Sequence, residues 1–176
     1  MRWINVNEEY LDYLRKTEPR IPRTDYGKDK YKPFFGILFE TDNLCYVTQV
    51  SHPRERHKKL KQQKDFYKIF DPKNPSRLIA VINLNYMFPM PKSEILPFEK
   101  SKIHTYRTFK SEQEKSKYID LLDTELSVIN TMDMDVKAKE LYKLKYEKPT
   151  HAVSQRCINF KDIERLAKQY MDKRDN

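Results

Sequence analysis

The sequence predicts an α+β fold. Strand-like runs rich in aromatic and β-branched residues crowd its first half, at Phe34 to Phe39, Leu44 to Val50 and Leu78 to Ile82. Apolar residues at helical spacing fill the second half. Strands first and helices later is the order expected of α+β architecture.

Taken in order, Trp3 to Val6 alternates enough for a short strand. Asn7 is a plausible N-cap for a helix from Glu8 to Lys16, with acids in its first turn and Tyr10, Leu11 and Leu14 on one face. Pro19 and Pro22 end it, and residues 17–31 read as a polar loop. The runs 34–39 and 44–50 flank Thr41-Asp42-Asn43, whose short polar side chains tolerate tight turns, so together they read as a β-hairpin. Residues 53–64 are densely basic, helical or looped, and Phe66 to Phe70 is a short strand. A turn at Asp71 to Pro75 leads into the buried-strand pattern of Arg77 to Leu84, and Tyr86 to Met90 adds another short strand. Three helices follow. Residues 111–130 place Tyr118, Leu122, Leu126 and Ile129 on one face, and 135–147 carry Val136, Leu141 and Leu144. Asn159 caps a third, striped by Phe160, Ile163, Ala167 and Tyr170.

A length of 176 residues suits one domain, 1–176, since single domains commonly hold about 100–200 residues. Lys and Arg total 35 against 26 Asp and Glu, and the net charge of +9 favours a polyanionic partner. The two cysteines, Cys45 and Cys157, are too few for a zinc site or a disulfide framework. No apolar run approaches the roughly 20 residues of a membrane span, and the N-terminus lacks a signal-peptide apolar stretch, so a cytoplasmic location is expected.

The chemistry gathers at the ends of the hairpin. Lys32 precedes its first strand; Ser51, His52 and Arg54 follow its second. Antiparallel pairing makes these ends neighbours, so an amine, a hydroxyl, an imidazole and a guanidinium meet in a set suited to a phosphate. Beside them Arg54, Arg56, Lys58, Lys59, Lys61 and Lys64 form a cationic run broken by Glu55. That run is either a solvated face or the floor of a groove tracking an RNA backbone. His57 is a second candidate proton carrier. Tyr10, Tyr26, Tyr31, Phe66 and Tyr67 are candidate platforms for unpaired bases, with core packing as the alternative. No Asp/Glu/His cluster shows ligand spacing, which favours metal-independent attack by the RNA 2′-hydroxyl.

Three segments, Lys32-Pro-Phe-Phe-Gly-Ile37, Tyr46-Val-Thr-Gln-Val-Ser-His-Pro-Arg54 and Ile82-Asn-Leu-Asn-Tyr-Met-Phe-Pro89, resemble the ToxN/AbiQ family of type III toxin–antitoxin and phage abortive-infection endoribonucleases. The likeness lies in their order and spacing over the first half of the chain. It implies a compact, twisted antiparallel sheet or barrel core, as in Kid/MazF toxins, flanked by helices. It implies cleavage of single-stranded RNA to 2′,3′-cyclic phosphate and 5′-hydroxyl ends without a cofactor. It implies inhibition by a pseudoknot-like, repeat-derived RNA antitoxin, with scope for higher-order assembly on that RNA. Lys32 matches a family active-site lysine, Tyr10 a functional tyrosine, and Ser51 the Thr of a Thr-Ser-Pro-Lys motif. His52 and Arg54 depart from that motif, standing where the family has Ser and Lys. Arg54 keeps the charge but gives up a proton far less readily, which leaves acid–base work to His52 or, as the second candidate, His57. The rival readings are a non-catalytic RNA-binding module and a basic surface for an acidic protein.

Overall fold

A computed structural model describes residues 1–24 and 31–174 of the chain. Strand β1 (Arg2–Val6) leads into helix α1 (Glu8–Arg15), then strands β2 (Phe34–Thr41) and β3 (Leu44–Ser51). Helix α2 (Glu55–Lys59), β4 (Phe66–Asp71), β5 (Asn74–Asn83), β6 (Phe88–Pro91) and β7 (Ile95–Pro97) follow. The remainder is helical: α3 (Ile103–Tyr106), α4 (Glu112–Ile129), α5 (Met134–Glu147), α6 (Ala152–Arg156) and α7 (Phe160–Asp172).

The strands form one antiparallel sheet in the order β4-β5-β3-β2-β1-β7. Strand β3 is its trunk. On one side it pairs with β2; on the other its first half, Leu44 to Val47, pairs with β6, and its last two residues pair with β5. Ser51 therefore ends β3 where the sheet forks. The α+β core flanked by helices is as the sequence implied, but β4 and β7 do not pair and the sheet is not closed into a barrel. Edge strand β7 is only three residues long, too short to extend the ladder around.

The hairpin turns at Asp42-Asn43, with Asp42 in the left-handed region at φ 50°, a conformation short polar side chains accept. Gly36 pairs with Val47 of β3, and an added Cβ would sit 2.8 Å from Val47 Cγ1. We expect Gly36→Ala to cost about 1–3 kcal/mol as an overpacked core site. The check is urea or thermal unfolding; a loss below about 0.5 kcal/mol would mean that Val47 yields freely.

Asn7 caps α1 as the sequence suggested: its Oδ1 accepts from the Glu9 amide at 3.1 Å. Helix α4 hangs on β1 through the Trp3 indole, which donates to the Leu122 carbonyl at 3.0 Å. Helix α7 covers β6 and the hairpin. Its Glu164 Oε1 accepts from the hydroxyls of Tyr46 at 2.9 Å and Tyr142 at 3.0 Å, and Tyr170 packs edge-on against Tyr10 of α1. Both cysteines are buried and free. On α5 the buried face is Met134, Ala138 and Leu141, while Val136 is half exposed. Among the described residues no helix is long and apolar enough to cross a membrane.

Candidate functional site

The pairing Phe34↔Gln49 sets the site. Continued two residues outward, it puts Lys32 level with Ser51, so the two residues stand at the same end of the hairpin. His52 follows at once, exposed at the sheet fork. Behind them stands α4. Lys32 Nζ points inward, 3.6 Å from Glu125 Oε1 and 5.8 Å from the centroid of the Tyr118 ring. Arg107, in the loop before α4, lays its guanidinium over the same ring at 4.4 Å and over Phe109 at 5.3 Å. Its Nη2 lies 3.4 Å from Glu114 Oε1, while its buried Nε has no hydrogen-bond partner among the described residues. The Tyr118 hydroxyl donates to the Tyr31 carbonyl at 2.7 Å and so fixes the segment that carries Lys32.

The electrostatics follow from this crowding. Partial burial, then the charges of Lys32 and Arg107, hold the His52 imidazole below its usual range, so it is neutral at pH 7 and able to accept a proton. Burial pushes the Glu125 carboxyl up to about 7, and Lys32 keeps it from rising further. The side chain of Glu125 has no exposed surface, and neither of its oxygens makes a hydrogen bond among the described residues. Tyr118, Leu122, Glu125 and Ile129 form the buried stripe of α4, so an acid occupies a core position of that helix.

The cationic run is where the sequence put it. Arg54, Arg56, Lys58, Lys59, Lys61 and Lys64 are all exposed; Lys58 pairs with Glu55 at 2.7 Å. The remaining candidates separate. His57 is buried, and its Nδ1 accepts from the Arg54 amide at 3.1 Å, so it caps α2 instead of facing a ligand. Tyr10 has no exposed surface and donates to the Pro89 carbonyl at 2.7 Å, which corrects its reading as a base platform. Tyr31 stacks on Tyr106 with its hydroxyl on Asn5, and Phe66 packs against His57; both are buried and are corrected to core. Tyr67 keeps exposed surface, at an open cleft of about 410 Å³ lined also by Gln62, Gln63, Lys64, Met132 and Lys137. Tyr26 lies outside the described residues.

Sequence reasoning did not find Arg107, Tyr118 or Glu125 as site residues. Arg107 sits in an irregular loop with no pattern to mark it. Glu125 did leave a trace: it lies seven residues after Tyr118, on the same helical face, in a stripe otherwise apolar.

Residues 2–168 match the family described as Toxin ToxN, type III toxin-antitoxin system. The chain is 24% identical over 97 residues to Endoribonuclease ToxN of Pectobacterium atrosepticum, and the match spans 54% of this chain and 57% of that relative. The matched part is thus a little over half the length of that curated relative. Among solved structures, AbiQ, a lactococcal anti-phage endoribonuclease belonging to the type-III toxin–antitoxin system, superposes with a TM-score of 0.77 at 18% identity, over 97% of this chain and 98% of its own. A protein from a bacterial antiviral system regulated by a processed non-coding RNA superposes with a TM-score of 0.77 at 19% identity, covering 96% and 98%. One from a type III system with selective toxin inhibition by a non-coding RNA pseudoknot gives 0.76 at 19%, covering 96% of each chain. At these identities the structural likeness establishes a shared fold.

Proposed function

The chain belongs to the ToxN family of type III toxin–antitoxin toxins, and from that we propose that it is an endoribonuclease cleaving single-stranded RNA through the RNA's own 2′-hydroxyl. The observation that supports this reading is the placement of Lys32 and Ser51 at one end of the hairpin, with His52 near enough to feel the charges of Lys32 and Arg107, beside an exposed cationic run. Such a reaction needs three things: a hydroxyl held in line with the phosphate, a proton acceptor, and cations where charge builds on the phosphoryl oxygens. Neutral His52 takes the 2′-hydroxyl proton and returns it, directly or through water, to the leaving 5′ oxygen. Ser51 donates to a non-bridging oxygen. Arg107, Arg54 and Lys32 hold the developing charge. The products are a 2′,3′-cyclic phosphate and a 5′-hydroxyl.

The donor set supports a route without metal. Of the carboxylates beside these groups, Glu125 is buried behind Lys32 and Glu114 pairs with Arg107, and among the described residues no three His, Cys, Asp or Glu gather as ligands. The activity is assigned to one domain over 1–176, since one buried cluster runs from Trp3 to Ala167. A structured RNA is the natural antitoxin: a groove that takes a phosphodiester for cleavage also holds the end of a pseudoknot-like repeat, and several toxins can assemble on such RNA. The test is incubation of the protein with single-stranded RNA in EDTA, followed by end analysis. Cleavage persists and leaves cyclic phosphate. Strict dependence on a divalent ion overturns the metal-free route, and binding without cleavage reduces the protein to an RNA-binding module.

A further inference from the structure

The amine of Lys32 is itself buried, with no hydrogen-bond partner among the described residues. Its nearest counter-charge is Glu125, at 3.6 Å and wholly buried. An amine so placed cannot touch an RNA phosphate without moving. A buried carboxylate left by its neighbouring cation cannot remain charged without a large desolvation cost. The two facts are linked: whatever draws Lys32 outward changes the protonation of the group it leaves.

We propose, building on the ribonuclease reading, that Glu125 is the resting counter-ion of Lys32, which the amine exchanges for the RNA phosphate while Glu125 takes up one proton from solvent. Lys32 stays an ammonium throughout, and the carboxylate becomes a carboxylic acid. Glu125 is thus a positioning residue that acts through Lys32. A glutamate costs more than a neutral residue of the same size at this core position of α4, and the exchange supplies a reason for its charge.

The sign of the pH dependence follows. In the free protein Glu125 titrates near pH 7, because Lys32 offsets its burial. With Lys32 gone to the phosphate, that offset is lost and the carboxyl titrates higher. The bound state then holds one more proton than the free state at pH values above 7, so affinity falls as pH rises. The other charged or titratable groups around the pair are His52, Arg107 and Tyr118. Burial raises Tyr118 out of range. His52 also takes up a proton beside a phosphate, so its contribution is separated by His52→Gln.

The experiment measures binding of a non-cleavable 2′-O-methyl RNA oligonucleotide between pH 6 and 8.5. Calorimetry in two buffers of different ionisation heat counts the protons. Wild type loses affinity at least about tenfold per pH unit above 7 and takes up close to one proton or more near pH 7.5. In the His52→Gln background, Glu125→Gln and Glu125→Leu, each checked for folding by circular dichroism, bind at pH 8 at least as tightly as His52→Gln alone, change less than twofold from pH 7 to 8, and take up none. His52→Gln keeps the loss above pH 7. Wild-type binding without proton uptake, or Glu125 variants that keep the slope of His52→Gln, overturns the role of Glu125 even if RNA is bound and cut. A wild-type protein that neither binds nor cuts RNA overturns the ribonuclease reading itself, and this exchange with it.

Discussion

Lys32→Ala and Ser51→Ala are each expected to lower RNA cleavage by about 10²–10³-fold, the usual cost of removing one group that stabilises charge on the reacting phosphate. Both side chains sit at the outer end of the hairpin, so the fold should survive their loss. Ser51→Thr is expected to restore most of the rate, because it returns the hydroxyl at the same register. Lys32→Ala carries a second signature. It leaves Glu125 buried without its cation, so the carboxyl titrates higher still than in wild type. A carboxyl raised in the folded state favours folding at acid pH, below its unfolded value, and that advantage is lost as pH rises through its folded value. The variant should therefore match wild-type stability near pH 6 and fall behind above pH 7. Rates are to be compared at pH 6.5 on proteins shown to be folded. Wild-type cleavage by both alanine variants would remove this end of the hairpin from the site.

The second large effect concerns the cationic run. Lys59, Lys61 and Lys64 are exposed, and none has an ion-pair partner among the described residues. If they track phosphates, replacing all three by Ala should weaken single-stranded RNA and the repeat antitoxin together. It should also flatten the dependence of log K on log salt by about 2, at roughly 0.7 per lost contact. Binding measured from about 50 to 200 mM salt reads both quantities. A variant that loses substrate affinity yet holds the antitoxin with an unchanged slope would place the antitoxin elsewhere on the surface.

The long elements were legible because their periods were clean. The hairpin, β5, α4 and α7 lie within a few residues of where their apolar patterns put them. The short ones, β7, α3 and α6, were not, since three to five residues show no period. The fork at β3 was illegible for another reason: which strand pairs beside Ser51 is decided by packing between segments far apart in sequence. In the candidate site, the hairpin-end residues were readable because antiparallel pairing is local. Arg107 and Glu125 were not, because their nearness to Lys32 depends on where α4 docks. Tyr10, Tyr31 and Phe66 show the limit of reading aromatics from sequence: a ring suited to stacking on a base is equally suited to a core, and burial decides.

The place of α7 bears on when the protein becomes functional. This helix supplies Glu164 to the tyrosine of β3 and Tyr170 to the tyrosine of α1, yet it follows both by most of the chain. During synthesis, segments fold roughly in the order in which they emerge, and contacts between distant segments form last. A nascent chain still held by the ribosome before residue 160 has its hairpin without the helix that backs it. The hairpin that carries Ser51 is then completed only once residues 160–172 have emerged and docked, so under the proposed function the chain gains its activity late and is harmless until that helix is in place.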